Sequence, residues 1–326
     1  MKVNNILITS AGRRVGLVRA FQAELKKKFP FSKVYTAEAN PEWSSACRVS
    51  DEFFTIPRVD NENYINSILE LCIRKQIKIV IPTIDTELLL MSDSKDLFLL
   101  NNIHIVVSDF DLITKCRDKR QTNILFNDLQ INIPRSIDKK NPSFPLFIKP
   151  YDGSLSIGIY LINSKEELTN SLLNNPKLMF MEYINPKDFH EYTIDAYYDK
   201  NSYLKCLVPR RRIEVRGGEI SKGKTEKLEF YKILKDKLSL IKGAKGCLTI
   251  QFFIGKETDE IIGIEINPRF GGGFPLSYAS GANYPEYIIL EYMMNEPITF
   301  NDNWIENRVM LRFDSEVILD QDDFTK

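Results

Sequence analysis

The sequence predicts two kinds of sheet in one chain. A doubly wound parallel α/β sheet comes first, and an antiparallel α+β half with a small unit of its own follows. Three observations predict this. Strand and helix patterns alternate through about the first hundred residues. The alternation then stops, and a polar, proline-bearing stretch, "NIPRSIDKKNPSFP", follows. Beyond it and the small unit, two long strands succeed one another with no helix between them, and a hairpin closes the series. A strand–helix alternation of this length implies a parallel sheet, because parallel neighbours need a crossover between them.

In order, "NNILITS" reads as a strand and "VGLVRAFQAELKKKF" as an amphipathic helix. "KVYTAEA" and "DEFFTIP" are strands, "NYINSILELCIRKQ" is a helix and "IKIVIPT" a strand. "TELLLMSDSKDLFLL" then predicts one helix and "IHIVVS" the last parallel strand. Ligands on such sheets bind beyond the carboxyl ends of the strands. "RDKRQTNILFNDL" is a helix that leads to the linker. "LFIKP", "IYLIN", the helix "SKEELTNSLL" and "KLMFMEYI" form the small unit, expected as two antiparallel pairs around one helix. "HEYTIDAYYD" and "YLKCLVPRRRIEV" are long strands, a helix is expected near 225–242, and "GCLTIQFFIG" pairs with "EIIGIEINPRF".

Composition removes several classes of function. Lys plus Arg and Asp plus Glu balance at 44 each, so no basic excess suggests nucleic acid or an anionic membrane. The 5 cysteines are scattered without a C-x-x-C pair, which fits a reducing cytoplasm and argues against a zinc site or a disulfide frame. Only 2 histidines occur, so histidine-based triads and multi-histidine metal sites are disfavoured. The N-terminus runs straight into a strand-and-turn pattern, unlike a signal peptide, and no apolar run reaches spanning length. The chain is long enough for two domains, or for one with a lid. It gives no clear oligomer signal, and a homodimer stays open.

The hairpin poses the sharpest chemical question. In "EIIGIEINPRFGGG" the strand period puts Glu265, Asn267 and Arg269 on one face, amid isoleucines. Antiparallel pairing brings Gln251 near Glu265. One carboxylate and two amides make an oxygen-rich patch suited to Mg²⁺, an ion that also draws ligands from substrate phosphates. Alone, the row also fits a solvated strand face or a Glu265–Arg269 pair. Three further features are weak singly. Lys149 precedes a turn with Gly153, Ser154, Ser156 and Gly158, whose small residues would let backbone N–H groups approach a phosphate. Glu182 closes one strand and Glu191 opens the next, beside an apolar slot. Lys119 sits in the first turn of a helix, where it opposes the dipole.

The order of these pieces resembles the ATP-grasp superfamily, and within it a single synthetase unit of the carbamoyl phosphate synthase large subunit. The resemblance covers roughly residues 110 to 313. It implies a pre-ATP-grasp α/β domain over 1–113 and an ATP-grasp domain over 114–326, with a lid subdomain over about 133–184. It implies that Lys119 and Lys149 contact ATP phosphates under the turn at Gly153, Ser154, Ser156 and Gly158. Glu182, with Tyr183 and Ile184 after it, would sit at the adenine and Glu191 at the ribose. Gln251, Glu265 and Asn267 would hold two Mg²⁺ ions, for which Mn²⁺ could substitute. Arg269 would face the reacting carboxylate and, with Lys149, serve catalysis. The activity implied is ATP-dependent ligation of a small-molecule carboxylate to an amine or a thiol. One unit without a glutaminase argues against complete carbamoyl phosphate synthesis.

Two substrate elements follow from the residues themselves. Arg210 and Arg211 lie in an arginine-rich strand, and Asp85 and Glu87 at a sheet's carboxyl end are expected free to recognise an amine. Asp85 as a helix cap is the structural alternative. A different class of function is a dinucleotide-binding protein. Gly12 and Gly16 lie between a strand and a helix, and Glu38 ends the second strand. The G-x-G-x-x-G spacing is absent, however. A third class is a non-catalytic ATP-binding regulatory protein.

Overall fold

The computed structural model describes residues 3–153, 157–258 and 260–321. Its first sheet is parallel and ordered β3–β2–β1–β4–β5. The strands are β1 (Asn5–Thr9), β2 (Val34–Glu38), β3 (Glu52–Thr55), β4 (Ile77–Pro82) and β5 (His104–Ile105). β1 is buried throughout, because helices and the second sheet cover both of its faces. Ile6 and Ile8 enter one core while Leu7 enters another, as the strand period requires. The strand order reverses between β1 and β4, which makes their carboxyl ends the crevice of this sheet.

A three-stranded antiparallel sheet, β7–β6–β8, follows: β6 (Leu146–Pro150), β7 (Tyr160–Ile162) and β8 (Leu178–Glu182). It has its own small core around Leu146, Ile148 and Phe180. The two pairs expected from the sequence are therefore one sheet that shares β6. The helix expected between them is a 3₁₀ turn, Lys165–Glu167, and a short helix, Asn170–Asn174.

The largest sheet has the order β13–β12–β9–β10–β11–β14. Its strands are β9 (Phe189–Tyr198), β10 (Leu204–Arg216), β11 (Glu219–Thr225), β12 (Gly246–Gly255), β13 (Ile261–Asn267) and β14 (Val309–Leu311). β11 and β14 are absent from the sequence reading. β11 shows no apolar alternation because its inward positions include Ser221, Gly223 and Thr225. Gly217 and Gly218 join it to β10 at φ of 58° and 77°, the doubly left-handed turn that favours glycine. The helix expected near 225–242 shortens to Tyr231–Leu238. The helix expected over 86–100 is two, Leu88–Asp93 and Lys95–Leu99, which meet at Ser94.

One apolar cluster joins the first and the largest sheets. Ile6, Ile8 and Phe21 pack in it with Tyr197, Phe270 and Phe274. On the opposite face of the largest sheet, Tyr192, Ile194, Ile250 and Phe252 pack with Phe126 of the helix Lys119–Asp128.

Candidate active site

Strand parity builds the site. Glu191, Thr193 and Asp195 alternate along β9 with the core residues Tyr192 and Ile194, so they share the other face. Across the ladder stand Thr249, Gln251 and Phe253 of β12, and Gln251 pairs in turn with Glu265, and Thr249 with Asn267. On the other side Arg210 stands opposite Thr193. A register shift falls at Gln251/Phe252, where Phe252 meets Gly263. β13 thus has one extra residue, Ile264, and such a bulge re-aims a side chain. Ile264 consequently lines the cavity beside Glu265 instead of joining Ile266 in the core.

This face is the floor of a cavity of about 460 Å³. The three-stranded sheet forms one wall, through Phe147, Lys149, Met181 and Glu182, with Tyr183 and Ile184 following. Lys149 is buried, and burial lowers its ammonium pKa to about 8, against the attraction of Glu265 and with the repulsion of Lys119. Lys119 begins its helix behind the N-cap Asp118. Its Nζ donates to the Gly153 carbonyl at 2.5 Å and stands 3.8 Å from Glu265 Oε2. It is 9% exposed, so it is not a plain surface lysine. Gly263 makes this approach feasible: a Cβ there would sit 2.7 Å from the Phe126 ring of the same helix.

Gln251, Glu265 and Asn267 come together as the hairpin predicts. Asn267 Nδ2 donates to Glu265 Oε1, and Arg269 Nη2 donates to Asn267 Oδ1 at 3.3 Å. Among the described residues no group of three acidic, histidine or cysteine side chains could hold a metal. One carboxylate with two amides fits a hard divalent cation only when substrate phosphates complete its shell. Glu191 also lines the cavity, 3.1 Å from Arg212 Nε. Burial raises its carboxyl pKa against the pull of that guanidinium. Glu182 accepts from the Arg135 backbone N–H at 2.7 Å, tying the linker to β8.

Several expected residues lie elsewhere. Glu87 is not free: it is wholly buried, and Thr83 N, Ile84 N, Ser10 Oγ and Tyr64 OH all donate to it. Asp85 is not free either, because its carboxylate holds Arg269 Nη2 at 2.8 Å. Glu87 is consumed where the loop after β4 folds back onto its own backbone, and Asp85 by the guanidinium that follows the hairpin. Arg211 points to the opposite face from Arg210, toward Glu226 at 3.9 Å. Arg210 is 1% exposed and forks onto Asp195 with Nε and Nη2 at 2.8 and 2.9 Å. Gly153 lines the cavity, whereas Gly158 packs on Pro150. Ser154 and Ser156 lie outside the described residues.

The structure adds residues that the sequence reading missed. Arg14, in the turn after β1, and Glu219, at the start of β11, both reach the cavity. Burial and the nearby Arg269 lower the Arg14 pKa to about 10. The glycine run explains itself here. A Cβ at Gly271 would meet Thr249 at 2.9 Å, at Gly272 the Glu219 carboxylate at 2.9 Å, and at Gly273 Arg210 Nη1 at 2.1 Å. A basic turn between strand and helix was visible in the sequence, but nothing local says which arginine turns inward.

A cavity between a three-stranded antiparallel sheet and a larger one, with two buried lysines facing a Gln/Glu/Asn hairpin, is the arrangement of an ATP-grasp fold. Residues 174–309 match the family model described as ATP-grasp in the biosynthetic pathway with Ter operon, and residues 6–106 match the PylC-like N-terminal domain. No curated protein matches the sequence. Among solved structures, the biotin carboxylase complex with βγ-ATP from Campylobacter jejuni superposes with a TM-score of 0.72 at 16% identity, over 94% of this chain and 74% of that one. N5-carboxyaminoimidazole synthetase from Staphylococcus aureus, complexed with ADP, gives 0.69 at 16%, over 94% and 80%. L-amino acid ligase from Bacillus licheniformis gives 0.66 at 14%, over 89% and 74%. These likenesses establish the fold. No helix among the described residues is long and apolar enough to cross a membrane.

Proposed function

We propose that the protein is an ATP- and Mg²⁺-dependent ligase that activates a carboxylate as an acyl phosphate for attack by an amine. The convergence of Lys119, Lys149, Gln251, Glu265 and Asn267 in one cavity carries this reading. Lys119 and Lys149 would hold the phosphates, and Tyr183 and Ile184 would offer backbone groups to the adenine beside Met181 and Ile264. Glu191 would take the ribose hydroxyls. A divalent ion held by Gln251, Glu265 and Asn267 would neutralise charge on the transferred phosphoryl group. Arg269, fixed by Asp85, would stabilise the acyl phosphate, so that catalysis rests on positioning and preorganised charge. One neighbour is an L-amino acid ligase by name, which supports the reaction class. The kinship with carbamoyl phosphate synthase rests on the order of the sequence motifs, with the strand "HEYTIDAYYD" and the hairpin among them. The three-stranded sheet, with its separate core, would act as the lid. Saturating ATP–Mg²⁺ should then slow proteolysis between residues 150 and 160, and unchanged nicking would remove the lid.

Dinucleotide binding has less support. The acid that would grip a ribose, Glu38, instead accepts from Gly12 N at 2.8 Å. Gly16 packs on Pro275, where a Cβ would come within 2.9 Å of its Cγ.

The deciding experiment is phosphate release from ATP–Mg²⁺ across a panel of carboxylates and amines, with Glu265→Gln as the control. This change keeps the size and removes the only formal charge in the hairpin's oxygen set. Turnover should fall about a hundredfold or more while the fold persists. Wild-type turnover in a folded Glu265→Gln protein would sink the metal assignment and the ligase reading with it.

A further inference from the structure

Four guanidinium groups line the cavity: Arg14, Arg210, Arg212 and Arg269. Three are matched by carboxylates, Arg210 by Asp195 at 2.8 Å, Arg212 by Glu191 at 3.1 Å and Arg269 by Asp85 at 2.8 Å. Arg14 has no ion pair among the described residues and gives Nη2 to the Thr83 carbonyl at 2.7 Å. The remaining acid of this region, Glu219, is held by Arg312 at 2.7 Å and Arg13 at 3.5 Å. Arg14 therefore has no carboxylate in direct contact among the described residues, and Glu219, Asp85 and Glu87 act on it only from a distance.

The hydrogen-bond inventory points the same way. Arg210 Nη1 and Arg269 Nε are buried without a hydrogen-bond partner among the described residues, whereas Arg212 Nε faces the Glu191 carboxylate. Arg210 is the most constrained, since its other two nitrogens are committed to Asp195. A buried charged N–H left unsatisfied is costly, so a partner from outside the chain is the physical expectation. The helix Val15–Lys28 starts at this corner, with no side-chain cap and no acidic residue in its first turn. Its N-terminus favours negative charge. Gly16 packs on Pro275, two residues beyond Gly273, and Gly273 in turn lies against Arg210 Nη1. Arg14, the helix start and Arg210 thus border one corner of the cavity, where Gly272 and Gly273 leave room for the Glu219 carboxylate and for Arg210 Nη1.

We infer that this corner binds an anionic group of the substrate other than the carboxylate that is activated, which gives the substrate two anionic groups: a dicarboxylate or a phosphorylated carboxylate. The anion corner stands on its own geometry; only the identity of the first group rests on the ligase reading. Arg14 and Arg210 would then set specificity, and Arg269 would serve the reacting end.

The test separates the two claims. The full chain, saturated with Mg-ADP, is titrated calorimetrically with succinate against succinamate and with 3-phosphoglycerate against glycerate. At least one of succinate and 3-phosphoglycerate, which carry two anionic groups, should bind tenfold or more tightly than its partner with one, and the better pair tells carboxylate from phosphate. Arg14→Gln should abolish that preference, and Arg14→Lys, which keeps the charge, should retain part of it. Equal affinities, no binding by any of the four, or a preference that survives in Arg14→Gln would overturn the inference. Phosphate release judges the ligase reading independently. A preference for two anionic groups without phosphate release leaves the corner standing and removes the ligase, and phosphate release without any preference does the reverse.

Discussion

Glu87 shows how a single side chain can be read correctly as special and wrongly as free. It follows β4 at the carboxyl end of the first sheet, where a ligand carboxylate would be expected. Its carboxylate instead gathers two backbone N–H groups and two hydroxyls, and so fixes the loop that carries Asp85. Burial raises its pKa from 4.5 against those four donors. The folded state therefore holds the Glu87 proton more tightly than the unfolded chain. The contribution is fully present below pH 4.5 and is lost as the pH rises through the folded value. In Glu87→Gln the two hydroxyls can turn from donating to accepting, so the substitution itself should cost only about 1 kcal/mol. Denaturant unfolding of both proteins from pH 4 to 8 should show the difference shifting in favour of the variant with rising pH. A pH-independent difference would mean that Glu87 does not titrate differently in the two states. Sequence alone could not separate Asp85 from Glu87 as structural or available, because the side chains that hold them, Tyr64, Ser10 and Arg269, lie 23, 77 and 184 residues away.

At the scale of elements, the hairpin β12–β13 and the strand pair β9–β10 make the floor, and the glycine run makes its edge. The "GGG" after the hairpin is required by close approach rather than by a turn. Gly273 lies against Arg210, which cannot retreat because Asp195 grips it and Ser277 Oγ holds Asp195 at 2.6 Å. Ala at position 273 should lower stability by about 1–3 kcal/mol through overpacking. Ala at Gly217, where nothing lies within 4 Å but φ is +58°, should cost less, on the order of 1 kcal/mol. Thermal unfolding orders the two, and a Gly273→Ala protein as stable as wild type would contradict the contact. The Gln251–Glu265 pairing was legible because a short connection forces antiparallel register. The bulge at Ile264 was not, since in the sequence Ile264 keeps period with Ile262 and Ile266.

For the molecule as a whole, the N-terminal sheet is not packed by itself. Ile6, Ile8 and Phe21 share a cluster with Tyr197, Phe270 and Phe274 from the far half of the chain. Arg14 enters the cavity across the same junction. Expressed alone, residues 1–113 would expose that apolar face and should be aggregation-prone or molten, with loss of near-ultraviolet circular dichroism and strong binding of a hydrophobic dye. A fragment that unfolds cooperatively with a native-like spectrum would show instead that the boundary near residue 113 separates autonomous units.

The sequence by itself determined the strand–helix alternation, the antiparallel hairpin and the polar row that it carries. All three are periodic or short-range, and local sterics and side-chain parity impose them. Only the tertiary structure decided which polar groups are spent and which are available. Asp85 goes to Arg269, Glu87 to its own loop and Arg210 to Asp195, while Arg14 keeps its charge unpaired. The reason is physical: a buried charge is governed by partners that arrive from distant parts of the chain, and no local pattern encodes their approach.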